Sequence, residues 1–207
     1  VLRGNAASGA GTIALGGTFA RSTGATLSFM SGSGLVGANP FFTASATALN
    51  TNTNGILGGW ATVVSPDTTT GNTNAEFATY DPSVGVRALN LLEQTATFAT
   101  STPTSNLRFS GTQTVPSGGA TVNTLTMNGG AGTLAFATGT DTLTVSAGGL
   151  LSGIDGNVSR QFGSSASRGR LTSGTSELFI YNGMSTTTAS QAGTLYVYSD
   201  ITGNISP

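Results

Sequence analysis

Apolar and polar residues alternate along short stretches of this chain, and the clearest stretch repeats every nine residues. The repeat reads VNTLTMNGG at 122–130, AGTLAFATG at 131–139 and TDTLTVSAG at 140–148. In each unit a leucine and an apolar residue two positions later share one face of an extended chain, and the residue between them faces the other side. The glycine that closes each unit permits the positive φ that a turn requires. Each unit therefore predicts one short strand followed by a turn.

The same spacing of apolar residues recurs outside the repeat. It is found at 13–15, 27–29 and 107–109, and again at 178–181 and 195–198. Threonine, the commonest residue of the chain, is β-branched and favours strands. We therefore expect a nearly all-β protein with the alternating apolar residues in its core. The predicted core residues are Leu27, Phe29, Leu125, Met127, Leu134, Phe136, Leu143, Val145, Leu178, Ile180, Leu195 and Val197.

The segment from 37 to 105 carries fewer strand signals. The stretches 48–55 and 65–74 are rich in threonine and asparagine and predict loops. Apolar residues three apart within 86–94 are compatible with a short helix, but the preceding glycine and the threonine-rich flanks favour extended chain. We expect a loop-rich part at 37–105, with long surface loops in the first half of the protein.

Two architectures fit the repeat. A parallel β-helix would stack strands from successive coils, with leucine ladders inside and threonine and asparagine ladders outside, whereas an antiparallel β-sandwich would alternate in the same way. Units of equal length without Asn-Gly hairpin turns at their joints favour the parallel β-helix. We expect a single unit over 1–207, with its regular coil part at 106–207.

Composition excludes several kinds of chemistry. The 207 residues carry a formal net charge of −1, only 7% are charged, and the chain contains no Lys, His or Cys. A Ser-His-Asp triad, a cysteine nucleophile, a disulfide and the common zinc sites are therefore impossible. A basic surface for nucleic acid is absent, so we expect no nucleic-acid partner. No apolar run approaches the roughly 18 residues of a membrane-spanning helix, so we expect no membrane-spanning segment.

The carboxylates are the remaining candidates for catalysis. A glycosidase needs two carboxyl groups about 5 to 9 Å apart, but the acidic residues of this chain are scattered and lie mainly beside predicted turns. We therefore predict no catalytic residue and no enzyme activity. The acidic residues are Asp67, Glu76, Asp81, Glu93, Asp141, Asp155, Glu177 and Asp200.

Metal and sugar binding have weaker sequence support. The loop 153–157 has one Asp and one Asn, whereas Ca²⁺ takes about six to eight oxygen ligands. We therefore predict a simple turn in this loop. We also predict that the chain binds no metal and no cofactor. A lone tryptophan in a chain with few aromatic residues is typical of a core, although exposed aromatic rings could stack on a glycan. The aromatic candidates are Trp60, Tyr80, Tyr196 and Tyr198. We expect Arg168 and Arg170 to pair with carboxylates or carbonyl groups.

Seven further blocks of the chain form a recognisable series. They are RSTGATLSF (21–29), ILGGWATV (56–63), FATYD (77–81), GVRAL (85–89), GGLLSG (148–153), GRLTSG (169–174) and ELFIYN (177–182). The stretch from Trp60 to Leu89 is the most specific part of the series. In sequence and order, these blocks resemble very large bacterial surface proteins that carry autotransporter-associated β-strand repeats. The loop at 66–74 is longer than the resemblance leads us to expect.

The resemblance implies a right-handed parallel β-helix, exported to the bacterial cell surface within a much longer repetitive chain. We therefore expect a non-catalytic extracellular structural protein, a unit of a cell-surface or matrix filament. Its partners would be neighbouring repeats or adjacent copies of the chain, since low net charge does not oppose self-association. One alternative is an adhesin that binds a glycan or host surface through the loops 37–55 and 65–83. A polysaccharide-cleaving β-helix enzyme is the second alternative.

Overall fold

The computed structural model describes residues 2–4, 12–17, 19–31, 41–44, 47–66, 73–153, 158–182 and 193–203. The protein is all-β with mainly parallel strand pairs, as the alternating pattern predicts for its class. A four-residue helix, α1 (Thr47–Asn50), and two single 3₁₀ turns, at Leu91–Glu93 and Phe98–Thr100, complete the described secondary structure. The strands are β1 (Leu2–Gly4), β2 (Thr12–Leu15), β3 (Leu27–Ser31), β4 (Phe41–Ala44), β5 (Ala61–Pro66), β6 (Thr73–Asp81), β7 (Gly85–Ala88), β8 (Asn106–Phe109), β9 (Thr112–Val115), β10 (Ala120–Met127), β11 (Gly132–Phe136), β12 (Thr142–Ser152), β13 (Arg160–Phe162), β14 (Arg170–Thr172), β15 (Phe179–Asn182), β16 (Leu195–Val197) and β17 (Asp200–Thr202).

In the second half of the chain, the strands form three parallel stacks. Stack A contains β8, the end of β10, the end of β12, and β15. Stack B contains β9, β11, β13 and β16. Stack C contains the start of β10, the start of β12, β14 and β17. The chain visits A, B and C in that order four times, so circuits 1 to 4 begin at β8, the end of β10, the end of β12 and β15.

The nine-residue units form the sides of a circuit rather than successive layers. Leu125, Leu134 and Leu143 are all fully buried in one core, but they lie in stacks A, B and C respectively. The register partners of Leu125 are Leu107 and Leu150, from the circuits before and after it. Leucine ladders therefore do exist, but they join residues of different circuits and not the equivalent leucines of the repeat.

The predicted core is mostly confirmed. All the predicted residues from 125 to 145 are buried, as is Phe29. Leu178 and Leu195 are only half-buried, and the prediction is wrong for Ile180 and Val197, which are 37% and 40% exposed. These four residues belong to circuit 4, and no described strand lies beyond it to cover them.

The first half of the chain combines parallel and antiparallel pairing. β1, β3 and β5 are parallel, as are β2 and β4, whereas β6 and β7 continue the sheet from β5 as antiparallel strands. The predicted loops at 37–55 and 65–83 are therefore wrong for residues 41–44, 65–66 and 73–81, which belong to β4, β5 and β6; residues 67–72 lie outside the described part. The preference for extended chain over a helix is confirmed at 85–88, which forms β7.

The two halves pack against each other along the outer face of stack A. Leu151 faces outward from β12 and is buried against Phe77, Val64 and Ile56 of the first half. Glycine at 149 allows this approach, because a Cβ there would overlap the ring of Phe77. Stack A thus contributes buried residues to a core on each of its two faces.

The helices of the described part are α1 and the two 3₁₀ turns. None of the helices in the described ranges is long and apolar enough to cross a membrane.

Candidate functional site

The described carboxylates are held by partners within the protein. Five of them pair with arginine, and the sixth, Asp141, accepts hydrogen bonds from backbone N–H groups. The prediction that the acidic residues lie beside turns is wrong for Glu76, which is buried within β6, and Asp67 and Asp155 lie outside the described residues. The ion pairs are Arg21–Glu177, Arg87–Asp81 (3.5 Å), Arg87–Glu93 (2.6 Å), Arg108–Glu76 (2.8 Å) and Arg168–Asp200 (3.4 Å).

Glu76 is a buried carboxylate at the contact between the halves, with only 7% of the residue exposed. It projects from β6 and accepts hydrogen bonds from Arg108 Nε at 2.8 Å and from the side-chain amides of Asn128 and Gln94, each at 3.2 Å. Burial raises the pKa of Glu76, and Arg108 and the two amides oppose that effect. A raised pKa suits a general acid, but this carboxyl is buried and its oxygens are bound by Arg108, Asn128 and Gln94, contacts that join β6 to the second half of the chain.

Asp81 and Glu93 are brought together by Arg87, and this is the arrangement that most resembles a catalytic carboxyl pair. The Ser83 hydroxyl and backbone N–H lower the pKa of Asp81, with a smaller effect of Arg87. A hydrogen bond from Arg87 lowers the pKa of Glu93. Both carboxyls are therefore ionised at neutral pH, whereas glycoside hydrolysis needs one of the pair to be protonated.

Asp141 joins two corners of the coil part. Its carboxylate accepts hydrogen bonds from the N–H of Gly118 at 2.9 Å and from the N–H of Thr138 at 2.6 Å. These bonds lower the pKa of Asp141, the Gly118 bond contributing most. The carboxylate thus satisfies donors on two consecutive circuits, because 118 precedes the start of β10 and 138 follows β11.

A cluster of three asparagines, of which Asn106 and Asn123 are buried and Asn54 is exposed, joins the first half to circuits 1 and 2. Asn123 donates to Asn106 Oδ1 at 2.8 Å and accepts from Asn54 Nδ2 at 3.1 Å, and Asn106 donates to the Asn54 carbonyl at 2.8 Å. Asn54 has a φ of 50°, and Gly55 after it has a φ of 82°, so the pair forms the tip of a tight turn. Our sequence reasoning missed this cluster, although the Asn-Gly dipeptide at 54–55 was a turn signal in the sequence.

Trp60 lies at the edge of the same interface and is half-buried, which agrees with the prediction that it belongs to a core. The Phe19 ring stacks on it with a centroid distance of 5.7 Å, and the Arg21 guanidinium lies 5.7 Å from its centroid. Arg21 also lies 5.6 Å from the Phe179 ring and pairs with Glu177. A cavity of about 250 Å³ beside Trp60 is bordered by these first-half residues, but the ring itself is already used in packing.

The other aromatic candidates are dispersed. Tyr80 is half-buried in the first-half core. Tyr196 and Tyr198 stack on each other with centroids 6.1 Å apart at the end of stack B, and Tyr196 is 44% exposed. Arg168 pairs with Asp200, as predicted, and also donates to the Tyr198 carbonyl at 2.9 Å. The structure therefore does not bring the four aromatic candidates together in one groove.

The structure also contains a shallow groove of about 530 Å³ at the edge of stack C in circuits 1 and 2. It lies between the segment 98–103 and the start of β10, and its walls carry no charged residue. Threonine side chains line one wall: Thr121, Thr142 and Thr144. The predicted turn at 153–157 lies largely outside the described residues, and within the described part no three His, Cys, Asp or Glu side chains come together as a metal site.

Comparison with known proteins adds no relative. No protein-family model, no curated protein and no solved structure matches the chain. The resemblance to bacterial surface repeats therefore depends on the residues quoted above.

Proposed function

We propose that this chain is a non-catalytic structural unit, a right-handed parallel β-helix that forms part of a bacterial cell-surface or matrix filament outside the cell. The observation that carries the proposal is the cyclic order of stacks A, B and C over four circuits, with parallel register in every stack. Such a coil connects parallel strands by crossovers, and crossovers of this kind are right-handed in about 98% of cases. Hydrogen bonds parallel to the axis would make the unit stiff.

The state of the carboxylates supports a role without catalysis. Each described carboxylate is paired with arginine or held by backbone N–H groups. A hydrolytic site would need an acid free to donate its proton and an open groove around it. Carboxylates that join strands and turns instead stabilise the fold.

The location outside the cell is supported by the resemblance alone. Its three consecutive blocks, 56–63, 77–81 and 85–89, coincide with the antiparallel part of the first-half sheet, β5 to β7. The blocks therefore correspond to one continuous piece of structure rather than to scattered phrases. This coherence favours a shared structural unit over chance similarity of threonine-rich and glycine-rich sequence.

The adhesin alternative has less support from the first-half aromatic residues. An adhesin would expose them in a concave groove, but Phe42 is fully buried and Trp60 is covered by Phe19 and Arg21. The shallow threonine-lined groove remains the place where a glycan would be sought if the structural role failed.

Electron microscopy and X-ray fibre diffraction of the native material that contains this chain would test the proposal. We expect filaments with a reflection on the fibre axis at about 4.8 Å, the spacing of stacked strands. Discrete particles without that axial repeat would contradict the structural role and would make a glycan-binding screen the next experiment.

A further inference from the structure

Asn128 and Gly129 form an Asn-Gly pair directly after β10, at the contact between the halves. Asn128 is 4% exposed, and its backbone N–H donates to the Phe109 carbonyl at 2.9 Å. Gly129 has a φ of 82°, and its carbonyl accepts a hydrogen bond from the Arg160 guanidinium. The pair is therefore held in one conformation by the circuits on either side of it.

The side chain of Asn128 is turned toward the backbone nitrogen of Gly129. The Gly129 N–H donates to Asn128 Oδ1 at 2.7 Å. Because a C=O bond is about 1.2 Å long, the same nitrogen lies less than about 4 Å from Asn128 Cγ. Attack of this nitrogen on Cγ is the first step of succinimide formation, the reaction by which thermolabile asparagine loses its amide. Glycine allows the attack best, since it has no side chain to hinder ring closure.

The amide nitrogen of Asn128, the leaving group of this reaction, faces a buried carboxyl group. Asn128 Nδ2 donates to Glu76 Oε1 at 3.2 Å, and Glu76 is 7% exposed. Burial raises the pKa of Glu76, and Arg108 is the charged side chain that opposes this effect. In its protonated form, Glu76 can donate to the departing nitrogen across the same contact.

We propose that Asn128-Gly129 is a self-modification site, at which Glu76 acts as a general acid on the protein's own amide. The Gly129 nitrogen bonds to Asn128 Cγ and loses its proton to water. The Cγ–Nδ2 bond breaks, Nδ2 takes the Glu76 proton and leaves as ammonia, and solvent returns a proton to Glu76. Water then adds across a C–N bond of the succinimide, so one water is consumed for each ammonia released. Gly130, which is exposed, gives water access to the ring, and aspartate or isoaspartate remains at 128.

The product changes the contact between the halves. Asn128 donates to Glu76, whereas a carboxylate at 128 can only accept, so two negative groups would share the guanidinium of Arg108. Removing one partner of a buried polar contact destabilises the fold. The modification therefore loosens the joint between β6 and the coil part as the protein ages. The reaction is confined to the chain itself, so the inference does not depend on the filament role proposed above.

A second Asn-Gly pair provides an internal comparison. Asn54 is exposed and precedes Gly55, and Asn54 Nδ2 donates to Asn123 Oδ1 at 3.1 Å. An amide oxygen has no proton to give to a leaving group. Exposure alone would make Asn54 the faster site, whereas an acid at the leaving group makes Asn128 the faster one. The two pairs therefore separate the proposal from the general lability of Asn-Gly sequences.

Tandem mass spectrometry of the folded 207-residue chain, incubated at neutral pH, measures the conversion of each asparagine to aspartate or isoaspartate. We expect Asn128 to convert at least about tenfold faster than Asn54, since a general acid contributes a factor of about 10² or more. Glu76→Gln should slow Asn128 at least about tenfold and leave Asn54 unchanged. The matched control is Glu93→Gln, which removes an ion pair with Arg87 at another place and should alter neither rate.

The pH dependence of the parent provides a second test, which holds even if Glu76→Gln fails to fold. Glu76 is a general acid only while it is protonated. The ratio of the Asn128 rate to the Asn54 rate should therefore fall as pH rises through the raised pKa of Glu76. In concentrated urea, which removes the fold, the two rates should become similar.

Three results would overturn the proposal. They are an Asn128 that converts no faster than Asn54 in the folded chain, a folded Glu76→Gln variant that converts Asn128 at the parent rate, and a rate ratio that does not change with pH.

Discussion

At the scale of single residues, this chain uses its few charged and amide side chains to join segments that are distant in sequence. Glu76 and Arg108 connect β6 to β8, and Asn54 connects a tight turn to circuits 1 and 2. The sequence predicted that carboxylates and arginines would be structural. It could not predict the partners, because ion pairing depends on which turns come together in space and not on spacing along the chain.

Asp141 predicts a specific pH dependence. Its pKa in the folded chain lies below the ordinary value of 3.8, since the Gly118 and Thr138 N–H groups stabilise the ionised form. Its contribution to stability is therefore fully present above about pH 3.8 and is lost as pH falls through the lowered pKa. We expect Asp141→Asn to lower the melting temperature at pH 7 and to reduce the difference in melting temperature between pH 7 and pH 3.

The control for this prediction is Asp200→Asn, which removes an exposed ion pair with Arg168. Exposed pairs contribute about 0 to 1 kcal/mol, so this variant should melt close to the parent at pH 7. Equal melting temperatures for Asp141→Asn and the parent at pH 7 would show that the carboxylate is not a structural cap.

Leu134 provides a second prediction at this scale. It is fully buried in the core of the coil part, so Leu134→Asp would place an unpaired charge among apolar side chains. We expect this variant to lose the cooperative urea transition of the coil part. Thr114→Asp is the matched control, because Thr114 is exposed on the neighbouring strand of the same stack. If Leu134→Asp and Thr114→Asp both unfolded like the parent, the burial of Leu134 in a packed core would be contradicted.

At the scale of elements, the alternation of apolar residues predicts strands well but not how they stack. The repeat at 122–148 correctly indicates three strands, yet the strands become the three sides of a circuit. The nine-residue period along the chain is the same whether successive units stack on one another or form the three sides of one circuit. The two arrangements differ in the number of residues between register partners, such as Leu125 and Leu150. Loops of unequal length make that number hard to recognise in the sequence.

β6 illustrates a second limit of the sequence. Its segment 73–81 begins with polar residues and contains Glu76, so it suggests a loop. In the structure, Arg108 and Asn128 of the other half neutralise and bind that carboxylate, and Phe77 is buried against Leu151. Contacts between the halves therefore stabilise a strand in a segment whose local preference for a strand is weak.

Close packing between the halves predicts the effect of a glycine substitution. A Cβ at Gly149 would overlap the Phe77 ring and lie 3.0 Å from the Gly59 Cα, whereas Gly139 has no such neighbour within 4 Å. We expect Gly149→Ala to lower the free energy of unfolding by about 1 to 3 kcal/mol, the usual cost of overpacking. Gly139→Ala should have little effect, and equal stability of the two variants in urea titrations would contradict this packing.

At the scale of the whole molecule, the coil of stacks A, B and C packs side by side with the strands of the first half. Stability in such an arrangement comes mainly from neighbouring circuits and from the interface between the halves. The packing of the two halves could not be predicted from the sequence, because it depends on pairs as distant as Arg21 and Glu177, which are 156 residues apart. The all-β class and the preference for parallel strand pairing could be predicted from the sequence.

The most direct test of the account is the strand register of stack C, measured by disulfide formation in double-cysteine variants. Thr144 and Thr172 are register partners on adjacent parallel strands, whereas Thr133 and Thr142 occupy equivalent places in successive repeat units but lie in different stacks. A disulfide needs Cα atoms about 4.4 to 6.8 Å apart. The account predicts that Thr144→Cys/Thr172→Cys oxidises to an intramolecular disulfide and that Thr133→Cys/Thr142→Cys does not. The reverse result would contradict the coil of three parallel stacks.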